Sequence, residues 1–193
     1  MRLFVAAYPP PEVCDDLARR IEGLRVTAAA QRGVNTRLAR RETWHVTLAF
    51  LGEVADERAP AVSGALHRAA DVWRAAGSGA PRLCLAGGGR FGRGRFTVLW
   101  VGVDGDTDAV QRLSKQVRRE LKHDRLPFDE RPFKPHLTVA RPGEKLDSAE
   151  VAADREDLAG YRGPQWPLDS IVLVRSHLGP QPRYDQLSTW PLA

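Results

Sequence analysis

The opening of the chain is apolar without interruption from Leu3 to Tyr8 and is stopped by Pro9-Pro10-Pro11. A short apolar run bounded by prolines predicts a buried strand. Val13, Leu17, Ile21 and Leu24 then recur at helical spacing, and the prolines suit the first turn of that helix. Residues 28–43 are polar and arginine-rich with no clear period, which predicts a basic loop. A strand is expected over 44–51. After Gly52 a second helix carries Val62, Leu66, Ala69 and Trp73 and ends at Gly77. Leu83-Cys84-Leu85 opens a hairpin whose turn is the glycine- and arginine-rich stretch 87–95, returning as a strand over 96–103. Asp106 or Thr107 can cap a third helix with Val110, Leu113, Val117 and Leu121 facing inward. A strand over 136–140 follows Pro132 and Pro135. The polar stretch 143–167 leads to a last hairpin, 170–178 with 184–190. Strands and helices mix irregularly, so the expected class is α+β.

Length and composition narrow this further. At 193 residues, 42% of them hydrophobic, the chain is long enough for a real core, and residues 1–193 fit one domain, or two small lobes. Its two cysteines, Cys14 and Cys84, exclude a disulfide scaffold and a four-cysteine zinc site. No apolar run reaches the length of a secretory core or a membrane span. A cytoplasmic protein without membrane attachment is therefore expected. Twenty-nine basic against 24 acidic residues give a net charge of +5, which favours anionic partners such as phosphate esters or nucleic acid.

The chemistry lies in a duplicated pattern. One segment reads Trp44-His45-Val46-Thr47-Leu48, the other Pro135-His136-Leu137-Thr138-Val139. Five histidines among 193 residues make two His-x-Thr-apolar matches a coincidence of roughly 0.003. Side chains on a strand alternate between faces, so His45 shares a face with Thr47, and His136 with Thr138. Two lobes facing one another would gather two imidazoles and two hydroxyls around one small anion. Such a set suits phosphodiester chemistry without a metal. A protonated imidazole can serve the leaving oxygen, a neutral one can take a proton from the nucleophile, and the hydroxyls can hold phosphate oxygens. The other histidines, His67, His123 and His177, occupy positions that ordinary helix and strand roles explain.

With the opening Arg2-Leu3-Phe4-Val5-Ala6, the Phe50-Leu51-Gly52 ending and the block from Pro135 to Arg141, these motifs resemble the 2H phosphoesterase superfamily. Within it they are most similar to the RNA 2′,3′-cyclic phosphodiesterases, also called 2′-5′ RNA ligases. The resemblance covers nearly the whole chain, including Val98-Leu99-Trp100-Val101-Gly102-Val103 and the final Tyr184…Trp190-Pro191-Leu192. It implies a bilobal α+β fold in which two pseudo-twofold-related lobes of antiparallel sheet, with helices outside, flank a cleft. It implies a hydrolase that opens a terminal 2′,3′-cyclic phosphate on RNA to a 2′-phosphate, reversible as ATP-independent 2′-5′ joining. Carried over by position, His45 is the proton donor and His136 the proton acceptor, with Thr47 and Thr138 on the phosphate. No cofactor and no metal are implied, and the expected state is a monomer.

Three further residues are candidates for the RNA. Arg141 matches an arginine that commonly follows the second motif, although strict alternation sets it opposite His136 and a bend is needed to bring it round. Phe50 can stack on a base, but its alternation with Val46 and Leu48 favours the core. Phe91, in Arg90-Phe91-Gly92-Arg93-Gly94-Arg95, is a base platform if that loop faces RNA and part of a solvated turn otherwise. Arginines 32, 37, 40 and 41 can steer RNA. Three rival functions remain at this level: a non-catalytic RNA-binding module, a phosphodiesterase for cyclic-phosphate nucleotides or 2′-5′ oligonucleotides, and, less favoured, a metal-dependent phosphodiesterase that a chelator would silence.

Overall fold

The structure is a computed structural model that describes residues 1–179 and 182–193. Eight strands form one sheet: β1 (Arg2–Ala7), β2 (Val46–Glu53), β3 (Arg82–Phe91), β4 (Val98–Gly105), β5 (His136–Ala140), β6 (Trp166–Pro167), β7 (Ser170–His177) and β8 (Arg183–Pro191). Five helices accompany them: α1 (Pro11–Ile21), α2 (Arg25–Gln31), α3 (Ala59–Ala75), α4 (Thr107–His123) and α5 (Ser148–Ala159). The strand order is β6-β3-β4-β5-β2-β1-β7-β8, antiparallel at every junction. Four strands thus lie on each side of the β5–β2 junction, where the ladder pairs Val46 with Leu137. The two His-x-Thr segments meet at that junction, in the middle of the sheet.

One face of the sheet is covered by helices. Leu3, Val5, Val46, Leu48, Leu137 and Val139 pack there with Val13 and Leu17 of α1, Val62 and Leu66 of α3, and Leu113 and Val117 of α4. The predicted periodicities of these three helices are the ones buried. On the opposite face Phe4, Ala6, Val172 and Val174 form a second, smaller apolar cluster, flanked by Tyr8, Phe50 and Tyr184. β1 is therefore buried on both faces, as an unbroken apolar run requires.

Two helices lie where the sequence pattern indicates loops. α2 occupies part of the expected basic loop 28–43, and α5 occupies part of the polar stretch 143–167. Neither has a wide apolar stripe. The start of α2 is tied to α5 by one buried carboxylate, Asp154, whose oxygens accept hydrogen bonds from Arg25 N at 2.7 Å and Val26 N at 2.9 Å. These are orphan donors at the start of α2, where Leu24 supplies no side-chain cap. The glycine-rich hairpin is also tighter than expected: β3 runs on to Phe91, so the reversal spans residues 92–97.

Candidate active site

The two motifs supply the floor of a cleft of about 710 Å³ that opens on the face away from the large helical core. His45, Thr47, His136 and Thr138 all line it. Alternation on each strand puts Val46 and Leu48, and Leu137 and Val139, into the core behind them.

Both imidazoles are held in the same way. Nδ1 of His45 lies 2.7 Å from the carbonyl oxygen of Thr43, and Nδ1 of His136 lies 2.7 Å from that of Lys134. A carbonyl accepts only, so each Nδ1 carries a hydrogen and Nε2 is left as the nitrogen that exchanges protons. Aromatic rings wall in each one. Phe4 lies 4.7 Å and Tyr184 5.2 Å from His45, centroid to centroid. Phe91 stands edge-on to His136 at 4.8 Å, backed by Trp100 at 5.9 Å. This burial pushes the pKa of His45 down from 6.5 to about 4, with the charges of His136 and Arg141 adding to the effect and the Thr43 carbonyl opposing it. His136 is lowered by the same principal cause, burial, and further by Arg141 and Lys134.

A β-bulge in each strand decides what else reaches the cleft. Opposite β1, Thr47 pairs with Ala6 and Ala49 with Val5, leaving Leu48 as an extra residue. Opposite β4, Thr138 pairs with Trp100 and Ala140 with Leu99, leaving Val139 extra. Each bulge shifts the alternation by one residue. The side chains five positions after the histidines, Phe50 and Arg141, consequently line the cleft. Strict alternation sets both on the far face, so the core placement expected of Phe50 is corrected by the bulge. The bend that Arg141 needs is present. Phe50 also carries the guanidinium of Arg2 at 4.7 Å from its ring centre.

Phe91 is not brought to the cleft lining; its ring packs on Trp100 at 5.1 Å and against His136. Several lining residues were not singled out by the sequence pattern: Phe4, Thr36, Tyr184 and His177. His177, at the end of β7, has Nε2 2.6 Å from Oδ2 of Asp185. Nothing in its local sequence distinguishes it, because its neighbours in the cleft come from β1, β8 and the segment after α2. Four arginines, Arg2, Arg37, Arg40 and Arg141, line the cleft, and no aspartate or glutamate is among the described lining residues. The arrangement offers paired proton-exchanging imidazoles, two hydroxyls and a cationic surround, a set suited to a phosphate ester.

The chain is similar to several known proteins. The profile of the 2′-5′ RNA ligase superfamily matches residues 9–180. A protein of Thermotoga maritima named RNA 2′,3′-cyclic phosphodiesterase is 32% identical over 73% of this chain and 70% of its own length. A Thermus thermophilus protein of the same name is 30% identical over 100% of this chain and 90% of its own. A crystal structure of a Thermus thermophilus protein superimposes with a TM-score of 0.72 at 28% identity, covering 100% of this chain and 98% of that one. The chain belongs to the 2′-5′ RNA ligase superfamily.

Proposed function

We propose that this protein is an RNA 2′,3′-cyclic phosphodiesterase that hydrolyses a terminal 2′,3′-cyclic phosphate to a 2′-phosphate by metal-free acid/base catalysis. The observation that carries the reading is the matched pair of imidazoles, each with Nδ1 tied to a carbonyl two residues back and each accompanied by a threonine in one cleft. His136 takes a proton from water as the water oxygen bonds to phosphorus. His45 gives its proton to O3′ as the P–O3′ bond breaks. The products are a 2′-phosphomonoester and a 3′-hydroxyl, and exchange with solvent resets the two protons. Thr47, Thr138 and Arg141 hold the non-bridging oxygens. With the 5′-hydroxyl of a second RNA in place of water, the same groups form a 2′-5′ phosphodiester: His136 takes the hydroxyl proton as its oxygen bonds to phosphorus, and His45 protonates O3′ as the P–O3′ bond breaks.

Burial lowers the pKa of both imidazoles below the ordinary value. Both imidazoles are neutral in the free protein at pH 7, so the donor acquires its proton when the phosphate anion enters and favours the imidazolium. Among the described residues no group of three histidines, cysteines, aspartates or glutamates is placed to hold a metal ion. Among these residues, too, no helix is long and apolar enough to cross a membrane. Cys14 and Cys84 are both buried free thiols, which supports a reducing, cytoplasmic setting.

The test is incubation with an RNA ending in 2′,3′-cyclic phosphate, in buffer containing EDTA, followed by identification of the phosphate position. A 2′-phosphate is expected. A 3′-phosphate, no turnover, or turnover only after a divalent ion is added back would overturn the reading.

A further inference from the structure

At the far end of β5 the neighbouring chain is not β2 but the segment after α2. Ala39 N donates to Val139 O at 2.8 Å, Arg141 N donates to Arg37 O at 3.3 Å, and Leu38 bridges Ala140. This antiparallel pairing sets Arg37 directly across from Arg141. Residues directly opposite in such a pair project on the same face, and like charges there repel. Both line the cleft, together with Arg40, whose Nη2 reaches the Pro182 carbonyl at 3.4 Å. Arg37 is held at φ 48°, a conformation that disfavours side chains and is retained where something over-determines it. The indole of Trp44, next to His45, anchors the segment by donating to Ala39 O at 3.1 Å. The cleft volume of about 710 Å³ matches a ligand much larger than one phosphate. A single cyclic phosphate therefore leaves most of the space, and part of the positive charge, unused.

We infer that Arg37, with Arg40 beside it, binds the phosphodiester next to the cyclic phosphate on its 5′ side, so that the protein selects RNA ends of two or more nucleotides over mononucleoside 2′,3′-cyclic phosphates. This rests on the cyclic phosphodiesterase reading and adds a substrate-length preference to it. Arg141 serves the reacting phosphate, and its cross-strand partner serves the next one. The anion between them relieves the repulsion that their pairing creates.

The experiment compares kcat/KM for three substrates: a nucleoside 2′,3′-cyclic phosphate, a dinucleotide with the same cyclic terminus, and that dinucleotide with a neutral methylphosphonate as its internal linkage. The wild-type protein is expected to favour the charged dinucleotide by at least about tenfold, the scale of one charge-assisted hydrogen bond, and to lose that preference with the methylphosphonate. Arg37→Gly suits the backbone at this position, so its Tm is expected not to fall. Its dinucleotide-to-mononucleotide ratio should drop towards one, with Arg37→Lys in between. Equal wild-type values for the mononucleotide and dinucleotide would overturn the subsite alone. A preference that survives the methylphosphonate, or an unchanged ratio in Arg37→Gly, would do the same. Failure to hydrolyse any of the three would overturn the cyclic phosphodiesterase reading and the subsite with it.

Discussion

At the scale of single residues, the proposed chemistry rests on two histidines, and their environments make distinct predictions. Replacing either His45 or His136 by alanine should reduce turnover by at least about 10², the usual contribution of a general acid or base. The double variant should be little worse than the poorer single one, because the pair acts as a unit. Near-normal turnover in a folded single variant would refute the two-histidine scheme. Both pKa values lie below the ordinary 6.5 in the free protein, so kcat/KM should describe a bell whose alkaline limb falls on the acid side of 6.5. The kcat bell should lie at higher pH, since the bound phosphate anion raises both values; coincident bells would contradict this. The same burial links His45 to folding. Its folded pKa is about 4 against 6.5 unfolded, so as pH falls the unfolded chain binds the proton first. The stability contributed by the neutral imidazole is complete above about 6.5 and is lost as pH drops towards 4. His45→Gln, which does not titrate, should therefore lose less stability between pH 7 and 5 than the wild type. Urea midpoints at the two pH values check this.

At the scale of elements, local irregularities decide which side chains reach the cleft. The bulges at Leu48 and Val139 convert plain alternation into a pattern in which position His+5 returns to the cleft. They are why an aromatic ring and a guanidinium reach the same side as the imidazoles. The segment that supplies Arg37 and Arg40 follows α2, and α2 depends on the fully buried carboxylate of Asp154. Replacing Asp154 by alanine strands two backbone donors and should lower stability by roughly 2–3 kcal/mol, the scale for losing a charged hydrogen-bond partner in the interior. Because the disturbed element leads into the substrate side of the cleft, KM for an oligonucleotide should rise more than kcat falls. Denaturant titration with steady-state kinetics measures both, and an unchanged urea midpoint would show that α2 is held by other contacts.

At the scale of the whole molecule, the net charge of +5 gains meaning from its distribution. Many arginines outside the cleft are paired, as Arg68 is with Glu120 and Asp124 or Arg25 with Asp157. Among the described residues, no carboxylate ion-pairs with the four arginines lining the cleft, so their field is concentrated at the cleft. For an oligonucleotide ending in a cyclic phosphate, log kcat/KM should fall linearly with log salt, by about 0.7 per single-strand phosphate neutralised. A mononucleoside cyclic phosphate should show a shallower slope. Identical slopes would mean that the cleft charge acts on the reacting phosphate alone.

Local pattern determined much of this protein. The apolar run of β1, the stripes of α1, α3 and α4, and the two His-x-Thr pairs are statements about period, and period is readable wherever one face of an element is buried. The pairing of histidine with threonine on each strand was legible for the same reason. α2 was not, because its first backbone donors are capped by a carboxylate more than a hundred residues away, and α5, although it carries its own Asp147–Glu150 capping box, lacks a wide apolar stripe to mark it. The cleft positions of Phe50 and Arg141 were not legible either, since a bulge exists only relative to a partner strand. Sequence periodicity alone sets Phe50 in the core, and it gives no sign of His177 beside Asp185 or of Arg37 facing Arg141. Those contacts depend on register between distant strands, which only the tertiary structure decides.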